Sequence, residues 1–260
     1  MDFVKRFTEA APGQKQIALF WLGQAGFLIK TPSGRSIAID PYFSDCVMHM
    51  FPEEGLGFKR LSPPPCAADD IRFDALLISH EHGDHFDQES IGPMMANGVT
   101  KLYTNCTTGD LLRAKSFDMA RVEILKKGET VALPDCTLLP VDCDHGKLAP
   151  EALGFILDFG FLKLYYAGDT ALTPERLAVP LAMKPDVAIL PINGAFGNLD
   201  GERAARYAGM LGAKVCVPCH FWTFPLHRGD PQQIIEAIGG YAPECELKLL
   251  CQGEGVLLGE

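Results

Sequence analysis

Ser79-His80-Glu81-His82-Gly83-Asp84-His85 is the part of this 260-residue chain that says most about its fold and its chemistry. It directly follows the apolar run Ala75-Leu76-Leu77-Ile78, and one loop thereby carries four side chains that can bind a metal: His80, His82, Asp84 and His85. Divalent metals such as zinc prefer neutral imidazole nitrogen together with some carboxylate oxygen. Crowding these groups into one loop without a cation would be costly. The stretch therefore predicts a metal site at the end of a buried strand.

The overall composition is that of a soluble globular protein. Apolar residues make up 47% of the chain and charged residues 22%, so there is enough apolar chain for a sizeable core. The formal charge of -10 argues against nucleic acid or an anionic membrane as a partner. Apolar stretches such as 17–22 are far shorter than the roughly 20 residues that cross a bilayer, and the charged residues 1–16 do not read as a secretory segment. We therefore expect a cytoplasmic protein that acts on a small molecule.

Nine cysteines are scattered along the chain, and without an export signal they are expected to be reduced thiols. Cys216-Val217-Pro218-Cys219-His220 matches the C-x-x-C-H pattern of c-type haem attachment. That attachment requires export, and the pentapeptide continues a strand-like run from Ala213 to Pro218. His220, rather than the two cysteines beside it, is therefore the residue of interest.

The chain repeats one plan in two halves, about 17–140 and 141–260. Each half begins with a hairpin that ends on an aspartate, Asp40 or Asp169, and continues with a strand that is apolar enough to be buried on both faces. The predicted strands lie at 17–20, 26–31, 36–40, 73–78, 100–104, 154–159, 162–166, 185–190 and 214–218, and the predicted helices at 89–96 and 202–211. The plan resembles duplication of one strand-helix module within a single domain of residues 1–260.

This plan predicts an α/β fold of four layers, an αββα sandwich in which two mixed sheets pack face to face and helices cover their outer faces. Ligands in α/β sheets gather at the carboxyl ends of the strands. The residues expected at those ends are Asp40, His80, Asp169, Asn193 and His220. Separate strands thus deliver metal-binding groups to one rim, which is a second indication of a metal site.

Two loops are expected beside this rim. Residues 41–71 show little periodicity but many aromatic, glycine and proline residues, and residues 221–230 directly follow His220. Long loops in compact domains are usually functional or disordered, and the aromatic content favours order. The first loop is interpreted either as a lid over the site or as a surface segment that covers the sheet edge.

The order His80-x-His82-x-Asp84-His85, then His145, Asp169 and His220, resembles the signature of the metallo-β-lactamase superfamily, and nearly the whole chain fits its plan of two halves. Within that superfamily, residues 20–27, Asp40-Pro41 and residues 212–220 resemble the L-ascorbate-6-phosphate lactonase-like branch.

The resemblance implies a set of ligands for one or two divalent ions, zinc or manganese. One ion would be held by His80, His82 and His145, and the second by Asp84, His85 and His220, with Asp169 bridging them. Asp40 would orient the ligand loop. Asp144, the neighbour of His145, is an alternative ligand. The resembling lactonases also suggest that the chain forms a homo-oligomer.

The mechanism implied by this site is metal-assisted hydrolysis. A water bound between two cations loses its proton near neutral pH, and the resulting hydroxide attacks an electrophilic carbonyl or phosphorus. The catalytic residues are then Asp84 and Asp169, either of which can carry the proton. Two divalent ions minus these two carboxylates and one hydroxide leave about +1 at the site, so an anionic substrate is acceptable to an acidic protein.

Several side chains near the rim are candidates for binding the substrate. Asn193, His227 and Arg228 are the main ones, and Asn198 could donate a hydrogen bond or serve only in a tight turn. Other cations in the rim segments are Lys59, Arg60 and Lys147, whereas His49 is expected to be an exposed loop residue.

Three functions follow from these residues. The leading hypothesis is hydrolysis of a small anionic ester or lactone, such as a sugar-phosphate lactone. The first alternative is a phosphodiesterase that acts on a phospholipid or nucleotide. The second, from another class, is an iron-binding redox protein on the same ligands.

Overall fold

The computed structural model describes residues 2–260 and contains two seven-stranded sheets. The strands are, in chain order, β1 (Gln16–Gly23), β2 (Gly26–Lys30), β3 (Ser36–Ile39), β4 (Ala75–Ile78), β5 (Lys101–Thr104), β6 (Val122–Ile124), β7 (Val131–Leu133), β8 (Cys136–Asp142), β9 (Leu153–Asp158), β10 (Lys163–Tyr166), β11 (Val187–Pro191), β12 (Val215–Cys219), β13 (Glu246–Leu247) and β14 (Gly255–Gly259). The helices are α1 (Phe3–Thr8), α2 (Cys46–Met50), α3 (Ile91–Met95), α4 (Cys106–Ala114), α5 (Ala178–Met183), α6 (Gly201–Leu211) and α7 (Pro231–Tyr241), with 3₁₀ turns at Pro52–Glu54 and Met119–Arg121.

Both sheets are mixed and follow the same order of connections. The first sheet has the order β14-β1-β2-β3-β4-β5-β6, and the second has the order β13-β12-β11-β10-β9-β8-β7. In each sheet an antiparallel hairpin is followed by a run of parallel strands, β3 to β6 in the first and β10 to β13 in the second. Because parallel strands end at the same edge, the residues that follow them are brought together.

Side chains alternate between the two faces of each strand, and both faces are buried. In β1, Leu19 points into the layer between the sheets, whereas its neighbour Phe20 points to the outer face of the first sheet. The inner layer also contains Leu77 of β4 and Phe155 of β9, each fully buried. Burial on both faces explains why these strands read as continuous apolar runs.

Helices cover the outer face of each sheet. Phe7 of α1 and Met94 of α3 belong to the cluster on the outer face of the first sheet, and Tyr207 of α6 and Ile234 of α7 belong to the cluster that contains the second sheet. Both α6 and α7 begin at an aspartate whose carboxylate accepts a backbone N–H of the first turn. The predicted αββα sandwich is confirmed.

The predicted elements agree with the observed strands to within a few residues. β7 and β8 pair in the second sheet, and β14 returns from the end of the chain to pair with β1 in the first. The prediction of a single domain with duplicated halves is not tested by this topology and stays a prediction. Among residues 2–260, no helix is both long enough and apolar enough to cross a membrane.

The segment 41–71 contains regular structure where the sequence shows no periodicity. It includes α2 and one 3₁₀ turn, and α2 carries His49, which is exposed as expected but lies on a helix and not in a loop. Tyr42 packs in a buried cluster with Phe224 of the 221–230 loop. Arg60, expected among the rim cations, is buried, and its Nη1 donates a hydrogen bond of 2.8 Å to the Tyr42 carbonyl. The two loops therefore form one ordered structure.

Candidate metal centre

The predicted residues at the strand ends lie together at one edge of the two sheets. Asp40 follows β3 and His80 follows β4, while Asp169 and His220 follow β10 and β12. Histidine and carboxylate side chains at this edge form three groups. Within each group, the possible ligand atoms lie within 4.8 Å of one another.

His80, His82 and His145 form the first group. His80 Nε2 lies 3.1 Å from His82 Nδ1, and His145 Nε2 lies 3.3 Å from the same atom. His80 and His145 are buried and His82 is half-buried. Three imidazole nitrogens at this spacing fit one side of the tetrahedral coordination that zinc prefers.

Asp84, His85 and His220 form the second group. His220 Nε2 lies 3.1 Å from Asp84 Oδ2, and His85 Nε2 lies 3.8 Å from the same oxygen. This group mixes nitrogen with a carboxylate oxygen, as the sequence predicts.

Asp169 lies between the two groups. Its Oδ1 is 3.2 Å from both His85 Nε2 and His220 Nε2, and its Oδ2 is 3.8 Å from His145 Nε2. One carboxylate oxygen thus faces each group, which is the position required of a bridging ligand. The ligand roles themselves stay predictions.

Two buried atoms in the centre show that the donor set fits a cation. His85 Nε2 and Asp169 Oδ1 are inaccessible to solvent and lie 3.2 Å apart, an ion-pair contact without the geometry of a hydrogen bond. Buried polar atoms without well-formed hydrogen bonds are costly, and coordination by a divalent ion would satisfy both atoms. The residues present therefore fit one or two divalent cations.

Asp40 completes a third group with His80 and His85, but its oxygens are already engaged. It accepts hydrogen bonds of 2.7 Å from Ser79 N, from His85 Nδ1 and from the Tyr166 hydroxyl, and a further one from Ser79 Oγ. The bond from His85 Nδ1 fixes the ring so that Nε2 faces Asp169. The contacts are those expected of a residue that orients the ligand loop.

Burial lowers the pKa of the imidazoles, whereas neighbouring carboxylates raise it. Burial lowers the pKa of His80 well below its usual value and also lowers the pKa of His145. Burial alone would also lower the pKa of His220. The charge of Asp169 and the contact with Asp84 outweigh burial and raise the pKa of His220 to about 9. His85 behaves in the same way, because three surrounding carboxylates outweigh burial and raise its pKa well above the usual value.

The two carboxylates are held ionised by these imidazoles. Burial would raise the pKa of Asp84, but the charges of His85 and His220 keep it far below the usual value. The same two histidines lower the pKa of Asp169 against the effect of burial. Without a metal, protonated imidazoles therefore supply the positive charge that the carboxylates require.

The structure favours His145 over Asp144 in the first group. The Asp144 carboxylate accepts hydrogen bonds from Thr173 Oγ1 at 2.5 Å and from Arg176 Nη1 at 2.7 Å. It is thereby engaged outside the centre, while His145 faces His82.

Gln24 is a contact of the centre to which the sequence analysis assigned no role. Its Nε2 donates a hydrogen bond of 2.8 Å to Asp84 Oδ2 and lies 3.1 Å from both ring nitrogens of His220. It lies between β1 and β2 in a left-handed conformation, with φ of 50°. A polar residue in a turn between two largely apolar strands was the signal that could have identified it.

The predicted substrate residues fall into two kinds. Asn193 is buried, and both polar atoms of its side chain lack a partner, as do those of Asn198. His227 and Arg228 are exposed on the loop after His220. Of the remaining rim cations, Lys59 is paired with Asp45 and Lys147 is exposed. Arg60 is buried against Tyr42 and not exposed at the rim, and its role as a substrate anchor stays a prediction.

Known proteins are similar to this chain in sequence and in fold. The sequence pattern of the beta-lactamase superfamily domain matches residues 18–220. A UPF0173 metal-dependent hydrolase of Anaeromyxobacter sp. (strain K) is 31% identical over 263 aligned residues, which cover 95% of this chain and 88% of the relative.

Two solved structures are similar in fold. Igni18, a metallo hydrolase from Ignicoccus hospitalis, has a TM-score of 0.74 at 24% identity, and the match covers 94% of this chain and 99% of that one. CmlA, a diiron β-hydroxylase from Streptomyces venezuelae, has a TM-score of 0.66 at 16% identity over 97% of this chain and 55% of its own. The narrower resemblance to the lactonase-like branch stays a prediction.

Replacing Asp40 by Asn should weaken metal binding without removing a ligand. The neutral amide cannot accept all the hydrogen bonds that the carboxylate receives, so His85 would lose its fixed orientation. We expect a decrease in metal affinity of about 10–100-fold, measured by competition with a chromophoric chelator. Asp186→Asn is the matched control, because that carboxylate accepts the Lys163 N–H at 2.9 Å just before β11, at the opposite strand end. Equal affinity of the Asp40 variant and the wild type would contradict the assigned role.

Metal binding should release protons. His220, with a pKa of about 9, and His85, with its raised pKa, are protonated in the metal-free protein at pH 7.5, and a metal binds only the deprotonated rings. Affinity should therefore rise with pH at least until the pH passes about 9, where His220 loses its proton. Calorimetry in buffers of different ionisation enthalpy measures the release. Binding heats that do not depend on the buffer would show that the two rings are neutral before the metal arrives.

Proposed function

The chain belongs to the β-lactamase superfamily and, within it, to the UPF0173 metal-dependent hydrolase family, and from this premise we propose that it hydrolyses a small ester or lactone. The observation that carries the proposal is the position of Asp169. Its carboxylate lies between two groups of ligand atoms, and its Oδ1 is buried without a hydrogen-bond partner beside His85 Nε2. Such a carboxylate supports a centre for two cations, with His145 as the third nitrogen of the first group.

A divalent cation, when bound, lowers the pKa of a coordinated water to about 7 and polarises a carbonyl oxygen. The chain's own residues determine where the proton goes. Both Asp84 and Asp169 are ionised at neutral pH, but the Asp84 side chain is 15% exposed and the Asp169 side chain 6%. Asp84 is therefore the better placed to exchange a proton with solvent, while Asp169 holds its charge between the two groups.

Asn193 is the proposed hydrogen-bond donor to the substrate. Its amide is buried, and neither polar atom has a partner in the protein. A buried amide in this state can donate to a substrate oxygen at a lower desolvation cost than an amide that must first leave water. Arg228 and Lys147 are exposed, and neither has an ion-pair partner among residues 2–260, so both can face an anionic group.

The substrate class includes the sugar-phosphate lactone that the resemblance implies. Charge supports this class, because two bound divalent cations would outweigh Asp84 and Asp169 and favour an anionic or electron-rich acceptor. The lactonase-like segments at 20–27 and 212–220 contribute Gln24 and His220 to the centre, which is consistent with this class.

The second candidate is an iron-dependent redox protein. It rests on the chemistry of the donor set, since imidazole and carboxylate ligands with a bridging Asp169 also suit iron. Metal analysis separates the two functions. Redox-active iron in the purified protein, together with oxygen consumption and no hydrolysis, would replace the first proposal by this one.

Hydrolysis should depend on the metal and on Asp84. We expect the metal-loaded protein to hydrolyse lactones in preference to phosphodiesters, and Asp84→Ala to lower kcat/KM by more than the roughly 10–100-fold that loss of an outer partner costs. Activity is followed by proton release in a weak buffer, before and after chelation. Asp110→Ala is the matched control, because Asp110 lies on α4 and its side chain is 76% exposed. Phosphodiester cleavage without lactone cleavage would reject the proposed bond type.

A further inference from the structure

The exposed phenylalanine and tryptophan side chains of residues 2–260 all lie on the loops around the metal centre: Phe51, Phe196 and Trp222. Two of them belong to a continuous row of rings. The centroid of Phe51 is 5.6 Å from that of Phe58, Phe58 is 6.2 Å from His227, and His227 is 4.2 Å from Phe196. The row formed by Phe51, Phe58, His227 and Phe196 is called the aromatic rim.

One end of the aromatic rim adjoins the ligand loop. Met50, the neighbour of Phe51, packs over Gly83, where a Cβ atom would meet Met50 Sδ at 2.8 Å. Gly83 lies between the ligands His82 and Asp84. The residue that precedes Phe51 therefore contacts the loop that carries the ligands.

The other end packs beside His220. A Cβ atom on Gly229 would meet the Phe221 Cβ at 2.8 Å and the Asn193 Cα at 3.3 Å. The turn that follows His227 thus lies against Phe221, which follows the ligand His220, and against Asn193, the proposed substrate residue. Residues next to the aromatic rim in the chain, Met50 and Gly229, thus contact two different segments that carry ligands of the centre.

The charges at the Phe51 end of the aromatic rim disfavour an anion, whereas the other end has the exposed cation Arg228 beside His227. Glu53 and Glu54 are exposed beside Phe51, and neither has an ion-pair partner among the described residues. The cations of the same segment are engaged, since Lys59 pairs with Asp45 and Arg60 is buried. A phosphate at this place would meet carboxylates and apolar rings, whereas an uncharged apolar group would meet a favourable surface.

We propose that the substrate carries an apolar substituent, an alkyl chain or an aromatic ring, which lies against the aromatic rim while its ester or lactone carbonyl occupies the metal centre. The inference rests on the proposed function, because it assigns the substrate class of the same site. Such a substituent would cover the half-exposed rings and remove apolar surface from water, which favours binding. This substrate differs from a sugar-phosphate lactone, which would leave the rim uncovered.

Binding of two hydroxy acids to the metal-loaded protein tests the inference without any turnover. 5-Hydroxypentanoate and 5-hydroxydecanoate share the carboxylate and the hydroxyl and differ by a five-carbon tail. Each fully buried methylene raises affinity about fourfold, so partial cover of the tail should make the longer acid bind at least about tenfold more tightly in calorimetry.

Phe196→Ser should remove most of this preference, since it replaces an exposed ring by a small polar side chain and leaves the buried core intact. Val99→Ser is the matched control, because Val99 is 51% exposed, as is Phe196, and it precedes β5 at the end opposite the metal centre. The control should keep the preference of the wild type. Phe51→Ser, at the other end of the rim, provides a second variant.

Equal affinity of the two acids for the wild type would overturn the inference, as would a preference that survives in both phenylalanine variants. Sedimentation of the wild type and of Phe196→Ser gives a further test, because a dimer that dissociates only in the variant would mean that a second copy covers the rim.

Turnover of the two corresponding δ-lactones is measured separately. Selective binding without turnover would reject the proposed function and keep the aromatic rim as a binding surface.

Discussion

Charge must be balanced at one buried edge of the two sheets, and this requirement determines how the surrounding residues are arranged. Two carboxylates, Asp84 and Asp169, are largely enclosed with five imidazoles where solvent screens their charge poorly, so their ionisation requires positive charge at short range. His85 and His220 supply that charge as protons, and a divalent ion supplies it without the protons. Asp40, which accepts hydrogen bonds from Ser79, His85 and Tyr166, ties the first sheet to the second at this point. The same contacts therefore serve folding and metal binding.

The layers of the fold and most of the centre could be predicted from the sequence because both follow from local patterns. β4 and β11 are buried on two faces, and this burial requires apolar runs that are visible without knowledge of the neighbours. Parallel strands end at one edge, so the residue that follows each strand is placed by the strand itself. This is why His80, Asp169 and His220 could be assigned to one rim from their positions alone.

The parts that could not be predicted depend on contacts between distant segments. Arg60 reads as a surface cation, and only the carbonyl of Tyr42 and the ring beneath it explain its burial. Asp144 has the chemistry of a ligand, yet Thr173 and Arg176 hold it away from the centre. Gln24 contacts Asp84 across sixty positions of the chain, a pairing that no periodicity indicates. The contacts of the substrate residues and of the aromatic rim could not be predicted for the same reason, because these residues lie on loops whose course is set by packing against other loops.

The pairing of β14 with β1 has a consequence for the kinetics of folding. Gln16 pairs with Gly259, so the first sheet gains its edge strand only after almost the whole chain has been brought into a closed loop. Contacts of such high sequence separation form late and slowly, since the entropy of closure precedes any gain from the contact. Until then the backbone of β1 presents unpaired N–H and C=O groups along an apolar strand, and this is a template for pairing with another chain. The risk of aggregation during refolding is therefore concentrated at the edge of the sheet that the end of the chain covers, and it should grow with protein concentration.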